Sequence, residues 1–295
     1  MTSLLRTKCF YVLCLYMCST TYSIAETNDR VTTTISCRDC EYIPKVPDAG
    51  TTLDSNGTTV QVMHNGLYII HHAYHGQWMS TIIKALKGHH EPQEEKVFYE
   101  ALKTIPDAAT MIELGSSWSY YSMWFNKEIP HARNYMIEPH QKKLALGEKH
   151  FSLNNMHGLF FNAFIGRNSD ANTIFTDWDT TQYNLPRICI DDFVKEHAIE
   201  FIHLLHSDIQ GAEYDMLLGC QETILKGKIG YIFISTHGNN HAKCLHFLQN
   251  NGFHIVAQHS IAESYSADGL IVARHKNFAG LDFVNVSKNN KKEKL

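Results

Sequence analysis

Acidic residues and a histidine stand at the ends of short apolar runs in this chain. Glu113 lies near the end of one run and Glu138 follows another, while Asp208 and His237 follow two later runs. Carboxylates accept hydrogen bonds from hydroxyl groups such as those of a ribose, and both carboxylates and imidazoles can take up a proton. These residues therefore predict a site that binds a nucleotide-type ligand beside a proton-transfer group.

The segment that begins at Thr110 carries the strongest of these signals. Its apolar run is followed by Gly115, Ser116 and Ser119, so a buried strand is predicted to reach a tight turn before a helix, with backbone amides facing a ligand. A carboxylate at Glu113 would repel a diphosphate but would pair with a cationic amino acid or a ribose hydroxyl, which favours S-adenosylmethionine over NAD. An ordinary strand-to-helix turn is the alternative interpretation.

Further cofactor contacts are predicted at the ends of the next two strands. Glu138 lies about 25 residues beyond the first acid, where a ribose-binding acid belongs, although a solvated strand end is the alternative. The following strand ends at Asn162 and Ala163. The predicted cofactor-binding residues are Glu113, Gly115, Ser116, Ser119, Glu138, Asn162 and Ala163.

Three residues are predicted to carry the chemistry. Asp208 and Glu213 flank a turn at Gly211, and His237 ends the next strand. Asp208 or His237 is the predicted base, and an expected pKa near neutrality favours the histidine. Glu213 is either a third catalytic group or a cap of the next helix, and His237 could instead only bond to backbone.

Strand-like and helix-like segments alternate regularly and must position these residues. Strands are predicted at 110–114, 135–138, 159–165, 201–209, 231–236, 253–258 and 269–273. Helices are predicted at 93–104, 120–127, 141–151, 191–197, 213–225 and 241–250. This alternation indicates an α/β fold with a doubly wound, seven-stranded, mostly parallel sheet, whose last strand inserts antiparallel because no helix precedes it. Asn65-Gly66, between runs 58–64 and 67–73, predicts a small β-hairpin before this domain.

Six ordered sequence blocks between residues 90 and 275 resemble the FkbM-type S-adenosylmethionine-dependent methyltransferases. They are Glu91-Pro92-Gln93-Glu94-Glu95, Glu113-Leu114-Gly115 with Tyr120-Tyr121-Ser122, Ile137-Glu138-Pro139, Ile190-Asp191-Asp192-Phe193, Asp208-Ile209-Gln210-Gly211-Ala212-Glu213 with Gly219, and Asp268-Gly269-Leu270-Ile271-Val272. The resemblance implies a class I methyltransferase (Rossmann-like) fold and methyl transfer to an oxygen, in this family often of a sugar or polyketide. One departure is Ser119, where the family usually has a second glycine.

The N-terminal region predicts export. Arg6 and Lys8 precede an apolar run that ends before small residues, which is typical of a secretory signal peptide. An uncleaved anchor and a cytoplasmic enzyme with a misassigned start are the alternatives. The predicted regions are a signal peptide (1–25), a linker or loosely ordered arm (26–55), a hairpin extension (56–90), the methyltransferase domain (91–277) and a basic tail (278–295).

Composition and cysteine content limit the partners. A formal net charge of -4 gives no field that would gather nucleic acid or an anionic membrane, so a small-molecule or glycan acceptor is expected. The histidine spacings select no metal, although a divalent ion at Asp208 and His237 is a minor alternative. Cys37 and Cys40 have a spacing that favours a local disulfide. A rival interpretation is a secreted carbohydrate- or partner-binding protein that keeps the fold without transfer activity.

Overall fold

A twisted seven-stranded sheet forms the centre of the computed structural model, which describes residues 24–176 and 180–289. The strand order is β12-β13-β11-β10-β4-β5-β6, and β13 is antiparallel to both of its neighbours. The predicted doubly wound α/β fold with an antiparallel last strand is confirmed. The strands are β4 (Thr110–Leu114), β5 (Arg133–Ile137), β6 (Leu159–Phe161), β10 (Ile202–Ser207), β11 (Ile229–Thr236), β12 (Phe253–His259) and β13 (Gly269–His275).

The central strands are buried on both faces because helices cover the sheet on each side. Every residue of β4 and of β11 is buried, as expected for parallel strands between two helical layers. Two hydrophobic clusters result, one on each face of the sheet. The helices that follow the extension are α3 (Pro92–Leu102), α4 (Tyr120–Glu128), α5 (Gln141–Leu153), α6 (Ile190–Glu196), α7 (Glu213–Leu218), α8 (Gln221–Leu225) and α9 (Asn240–Asn250), and a short 3-10 helix spans Ile261–Glu263.

A second sheet interrupts the predicted alternation. The strand predicted at 159–165 divides at Asn162 into β6 and β7 (Phe164–Ile165), and β7 pairs with β9 (Gln182–Ile188) rather than with the central sheet. β8 (Asp170–Thr176) completes this sheet in the order β7-β9-β8. Much of β8 is exposed and polar, so its sequence lacks the apolar periodicity that identifies a strand.

The segment before the domain is more regular than its composition suggests. The loosely ordered arm predicted at 26–55 instead contains α1 (Ile24–Ile35) and β1 (Thr52–Ser55), while α2 (Gly76–Ala85) falls in the extension. The predicted hairpin is present as β2 (Thr58–Val62) and β3 (Tyr68–Ile70), with β1 as a third strand. Tertiary contacts explain this order, since the Asp39 carboxylate accepts hydrogen bonds from the amide and hydroxyl of Ser287.

Both ends of the chain bear on the predicted boundaries. The expected signal cleavage site follows Ala25, so all but the end of that signal lies outside the described residues. Of the predicted basic tail, the portion up to residue 289 packs on the domain, with Val284 and Val286 buried. Among the described helices, none combines the length and the apolar character that a membrane crossing requires.

Candidate functional site

The turn after β4 is pressed against the end of β10. The Asp208 amide donates to the carbonyl oxygen of Leu114 at 2.9 Å, which continues the pairing of the two strands into the turn. Gly115 has φ +69°, and a Cβ built on it would lie 1.9 Å from the Asp208 carbonyl oxygen. Only glycine fits this backbone approach without a shift, so the turn and Asp208 are held together.

The backbone amides of this turn bind the end of β5. Those of Gly115 and Ser116 both donate to the Ile137 carbonyl oxygen, at 2.9 and 3.2 Å, and that of Ser117 donates to Glu138 Oε2 at 2.9 Å. The prediction that amides here face a ligand is therefore wrong for these three groups. They fix the position of the Glu138 carboxylate instead.

Glu138 is a buried carboxylate at the edge of the sheet. Its Oε1 accepts the amide of His140 at 2.8 Å, and burial raises its pKa in spite of these hydrogen bonds and of Lys143. Asn162 lies beside it and donates its side-chain amide to the carbonyl oxygens of Glu138 and Pro139. A carboxylate oxygen accepts more than one hydrogen bond, so Glu138 keeps acceptor capacity for a ligand hydroxyl.

Glu113 lies beneath the turn rather than at its surface. Its Oε2 accepts the amide of Ser122 in the first turn of α4 at 3.2 Å, and only 3% of the residue is exposed. Burial raises its pKa to about 7, although His206, its neighbour in β10, acts in the opposite direction. Glu113 thus anchors the start of α4, and Ala163 is likewise buried behind the strand ends.

Two of the predicted cofactor residues are buried serines with unsatisfied hydroxyls. The Oγ atoms of Ser116 and Ser119 have no hydrogen-bond partner among the described residues. Ser119, immediately before α4, has φ 61°, a left-handed conformation that suits glycine. Its hydroxyl lies against α5, where a Cβ on Gly147 would approach Oγ to 2.3 Å.

We expect Ser119→Gly to raise the free energy of unfolding by about 1 to 2 kcal/mol, because it removes left-handed strain and a buried unpaired hydroxyl. Urea denaturation measures this change. Ser119→Ala is the matched control, since it removes the hydroxyl and keeps the strained backbone. Equal stability of Ser119→Gly and Ser119→Ala would contradict the strain argument.

A chain of hydrogen-bonding groups crosses the ends of β10, β11 and β13. His237 Nδ1 lies 2.8 Å from Glu213 Oε1, and its Nε2 lies 3.0 Å from Asp268 Oδ1 and 3.5 Å from Asp208 Oδ1. Glu213 is fully buried and also accepts hydrogen bonds from the Gly211 amide and the Asn240 side chain. The structure therefore brings the three predicted catalytic residues together and adds a fourth, Asp268.

The carboxylates around His237 change its protonation. Burial alone would lower its pKa, but the ion pair with Asp268, the hydrogen bond to Glu213 and the charge of Asp208 raise it to about 10. Burial would raise the Glu213 pKa, yet the donors around it lower it. The expectation of a near-neutral histidine is therefore wrong: His237 is a cation at neutral pH, held by an ionised Glu213.

Asp208 is the near-neutral group of this cluster. Burial and the neighbouring Asp268 raise its pKa to about 7, against the charge of His237. Gln210 Nε2 donates to Asp208 Oδ1 at 2.8 Å. Asp268 is not among the predicted site residues because a loop precedes it, although it stands in a matched block next to Gly269. Asp208 thus combines a pKa near neutrality with a position beside the cation of His237.

Further buried acids border this cluster at the start of α3. Glu94 bonds to His206 Nε2 at 2.8 Å and to the Ser235 hydroxyl at 3.1 Å. Glu94, Ser235 and Asp268 line a small cavity. Trp118 of the turn stacks on Tyr74 with ring centroids 4.3 Å apart. The site therefore combines a group of carboxylates with the stacked aromatic rings of Tyr74 and Trp118.

We expect the free energy of unfolding to fall as the pH rises from about 6.5 to about 10. The folded state holds a proton on His237 that the unfolded chain releases near its ordinary pKa, so this stabilisation is complete below pH 6.5 and disappears through pH 10. His90 and His206, whose pKa values are also raised, act in the same direction. Denaturation across this pH range should show a smaller fall in the free energy of unfolding for His237→Asn than for the wild type. The exposed His246→Asn is the control, and an equal fall in both variants would contradict the assignment.

The sheet order, the antiparallel β13 and the polar strand ends define a class I methyltransferase fold. The family model of the methyltransferase FkbM domain matches residues 73–255, more than half of the chain. The chain therefore belongs to the FkbM methyltransferase family. No curated protein matches it.

Several solved structures match part of this chain at low sequence identity. The methyltransferase FkbM from Methylobacillus flagellatus KT is 17% identical, with a TM-score of 0.45, and the match covers 58% of this chain and 44% of that protein. M. capricolum TrmK in complex with S-adenosyl-homocysteine is 14% identical over 65% of this chain and 71% of its own, with a TM-score of 0.41. The precorrin-6y C5,15-methyltransferase from Geobacter metallireducens GS-15 is 12% identical over 61% and 88%, with a TM-score of 0.42.

Proposed function

We propose that this protein transfers a methyl group from S-adenosylmethionine to a hydroxyl oxygen of a small-molecule or glycan acceptor. The observation that carries the proposal is Asp208, a carboxylate with a pKa of about 7 that lies against the glycine turn and next to the histidinium of His237. A base with this pKa is suited to remove a hydroxyl proton at neutral pH.

The residues present fit the cofactor at the edge formed by β4, β5 and β6. Gly115 leaves no side chain over the turn, and the fixed Glu138 carboxylate has free acceptor capacity for a ribose diol. Asn162 fixes the backbone on the far side of Glu138, and the unpaired Ser116 hydroxyl adds a further polar group. Glu113 then has a supporting role, since it holds the helix that follows the turn.

When bound, S-adenosylmethionine supplies an electrophilic methyl group on a sulfonium. The Asp208 carboxylate accepts the proton of the acceptor hydroxyl, which makes its oxygen a better nucleophile. The cation of His237 stabilises Asp208 in its ionised form before the reaction. Glu213 and Asp268 hold that imidazolium in place, so Glu213 is a positioning residue in this mechanism.

The charge of the site favours a neutral hydroxylated acceptor. Glu91, Asp208 and Asp268 lie close enough for Asp268 and Glu91 to raise the Asp208 pKa, and such a group of carboxylates repels a phosphodiester chain. Tyr74, which stacks on Trp118, offers an aromatic surface beside these acids. The acids also accept hydrogen bonds from hydroxyl groups.

Isothermal titration calorimetry with S-adenosylmethionine tests the cofactor assignment. The wild type should bind S-adenosylmethionine. Glu138→Ala should weaken this binding by about 10-fold or more, because the carboxylate that accepts hydrogen bonds from the ribose is lost. Glu148→Ala, an exposed acid on α5, is the matched control. A wild type that binds no cofactor would refute the proposal. Transfer of labelled methyl into fractionated glycans, lipids and hydroxylated metabolites would then identify the acceptor.

A second candidate function is ligand or partner binding on this fold without methyl transfer. The left-handed Ser119 favours it, because a serine stands in the turn where the family usually has glycine. Binding of a glycan without S-adenosylmethionine, with no labelled product, would support this candidate. For either function we propose export through the N-terminal signal, which the intact mass of the mature protein tests.

A further inference from the structure

A second cluster of ligand-type side chains lies away from the strand ends. Cys40, His89 and Glu95 are buried, with relative exposures of 3%, 0% and 0%, and each offers one ligand atom within 4.8 Å of the other two. They come from three places: the loop after α1, the residues before α3, and the first turns of α3. The fold brings Cys40 to His89 and Glu95, which are close to each other in the sequence.

The bonding of this cluster leaves His89 incomplete. Its Nδ1 is hydrogen-bonded to Glu95 Oε2, while its Nε2 is buried and has no partner among the described residues. A cation bound between Nδ1 and the Glu95 carboxylate would replace the proton that these two groups share, because it takes the lone pair of an imidazole nitrogen.

The three side chains supply a thiolate sulfur, an imidazole nitrogen and a carboxylate oxygen. This combination of donors is typical of zinc, which binds four such ligands tetrahedrally. All three donor atoms lie within 4.8 Å of one another, so small side-chain shifts would bring them around one ion.

We propose that Cys40, His89 and Glu95 bind a structural Zn²⁺ ion that joins the N-terminal segment to the methyltransferase domain. Binding releases the Cys40 thiol proton, as metal binding to cysteine does. Cys37 is also buried, and both cysteines are free thiols, so the local disulfide predicted from their spacing does not form. Cys40 instead donates its thiol to the carbonyl oxygen of Pro92, at the start of α3.

Metal analysis of the purified full-length protein tests this site. We expect about one zinc per chain in the wild type and at least about a 10-fold lower zinc content in Cys40→Ser and His89→Gln. Cys37→Ser is the matched control, because Cys37 is equally buried but not among the three donors, and it should keep its zinc. Zinc content equal in Cys40→Ser and wild type would overturn the proposal.

Cobalt substitution gives a readout that does not depend on the folding of a variant. The wild-type protein, stripped by a chelator and reloaded with Co²⁺, should show a thiolate-to-cobalt charge-transfer absorption together with tetrahedral ligand-field bands. Absence of that absorption, or a Cys37–Cys40 disulfide in the mapped native protein, would refute the site. None of these measurements depends on methyl transfer.

Discussion

Replacing Gly115 with alanine should destabilise the protein by about 2 to 5 kcal/mol and abolish cofactor binding. The new Cβ would lie 1.9 Å from the Asp208 carbonyl oxygen, and the residue would keep φ +69°. Left-handed strain costs about 1 to 2 kcal/mol and overpacking about 1 to 3 kcal/mol. The backbone of β4 and β10 must separate to relieve the contact. Urea denaturation and calorimetry with S-adenosylmethionine measure the two effects.

Gly57→Ala separates strain from steric contact. Gly57 has φ +79°, but nothing lies within 4 Å of a Cβ built there. Its substitution should therefore cost only the left-handed strain, about 1 to 2 kcal/mol, and should leave cofactor binding unchanged. If Gly115→Ala costs no more than Gly57→Ala and still binds the cofactor, the close approach to Asp208 does not constrain the turn.

Replacing Asp208 with asparagine should lower turnover by about 10² to 10⁴-fold while cofactor affinity stays within about 3-fold. The amide keeps the shape of the side chain but does not accept the acceptor proton. In the wild type, turnover should rise with pH through about 7, because only the ionised carboxylate is a base. Single-turnover rates with the acceptor found by labelled transfer measure both effects.

Asp215→Asn is the control for the loss of one carboxylate. Asp215 is exposed on α7, outside the cluster around His237, so its substitution should leave both the rate and its pH profile unchanged. If Asp208→Asn keeps wild-type turnover, Asp208 is not the base. If His237→Asn moves the rising limb of the pH–rate profile to higher pH, the histidinium stabilises the ionised Asp208 as proposed.

The local sequence accounts for the alternation of strands and helices in the central domain and for the residues at the strand ends. Apolar runs separated by amphipathic segments specify buried parallel strands and crossover helices, because each element must bury one face or both. Gly115, Glu138, Asp208 and His237 stand at those ends in the sequence itself. The sequence also distinguishes β13, since no α-helix separates it from β12.

Tertiary structure decided the protonation of the site and the partners of each group. The ordinary pKa of histidine made His237 the favoured base in the sequence. In the structure, Asp268, Glu213 and Asp208 surround it and raise its pKa to about 10. The amides predicted to face a ligand donate to Ile137 and Glu138 instead. A pKa depends on burial and on charges a few ångströms away, so residue spacing does not predict it.

Contacts between distant segments also explain why the N-terminal segment is ordered. Residues 26–55 have the composition of a loose arm, yet contacts such as that of Asp39 with Ser287 accompany their order. Cys40 meets His89 and Glu95 only because that segment folds back onto α3. The sequence alone determined the alternating strands and helices and the kinds of residue at the strand ends, because the hydrophobic pattern of each element is local. Which charges, thiols and carbonyls meet was decided by the packing of distant segments.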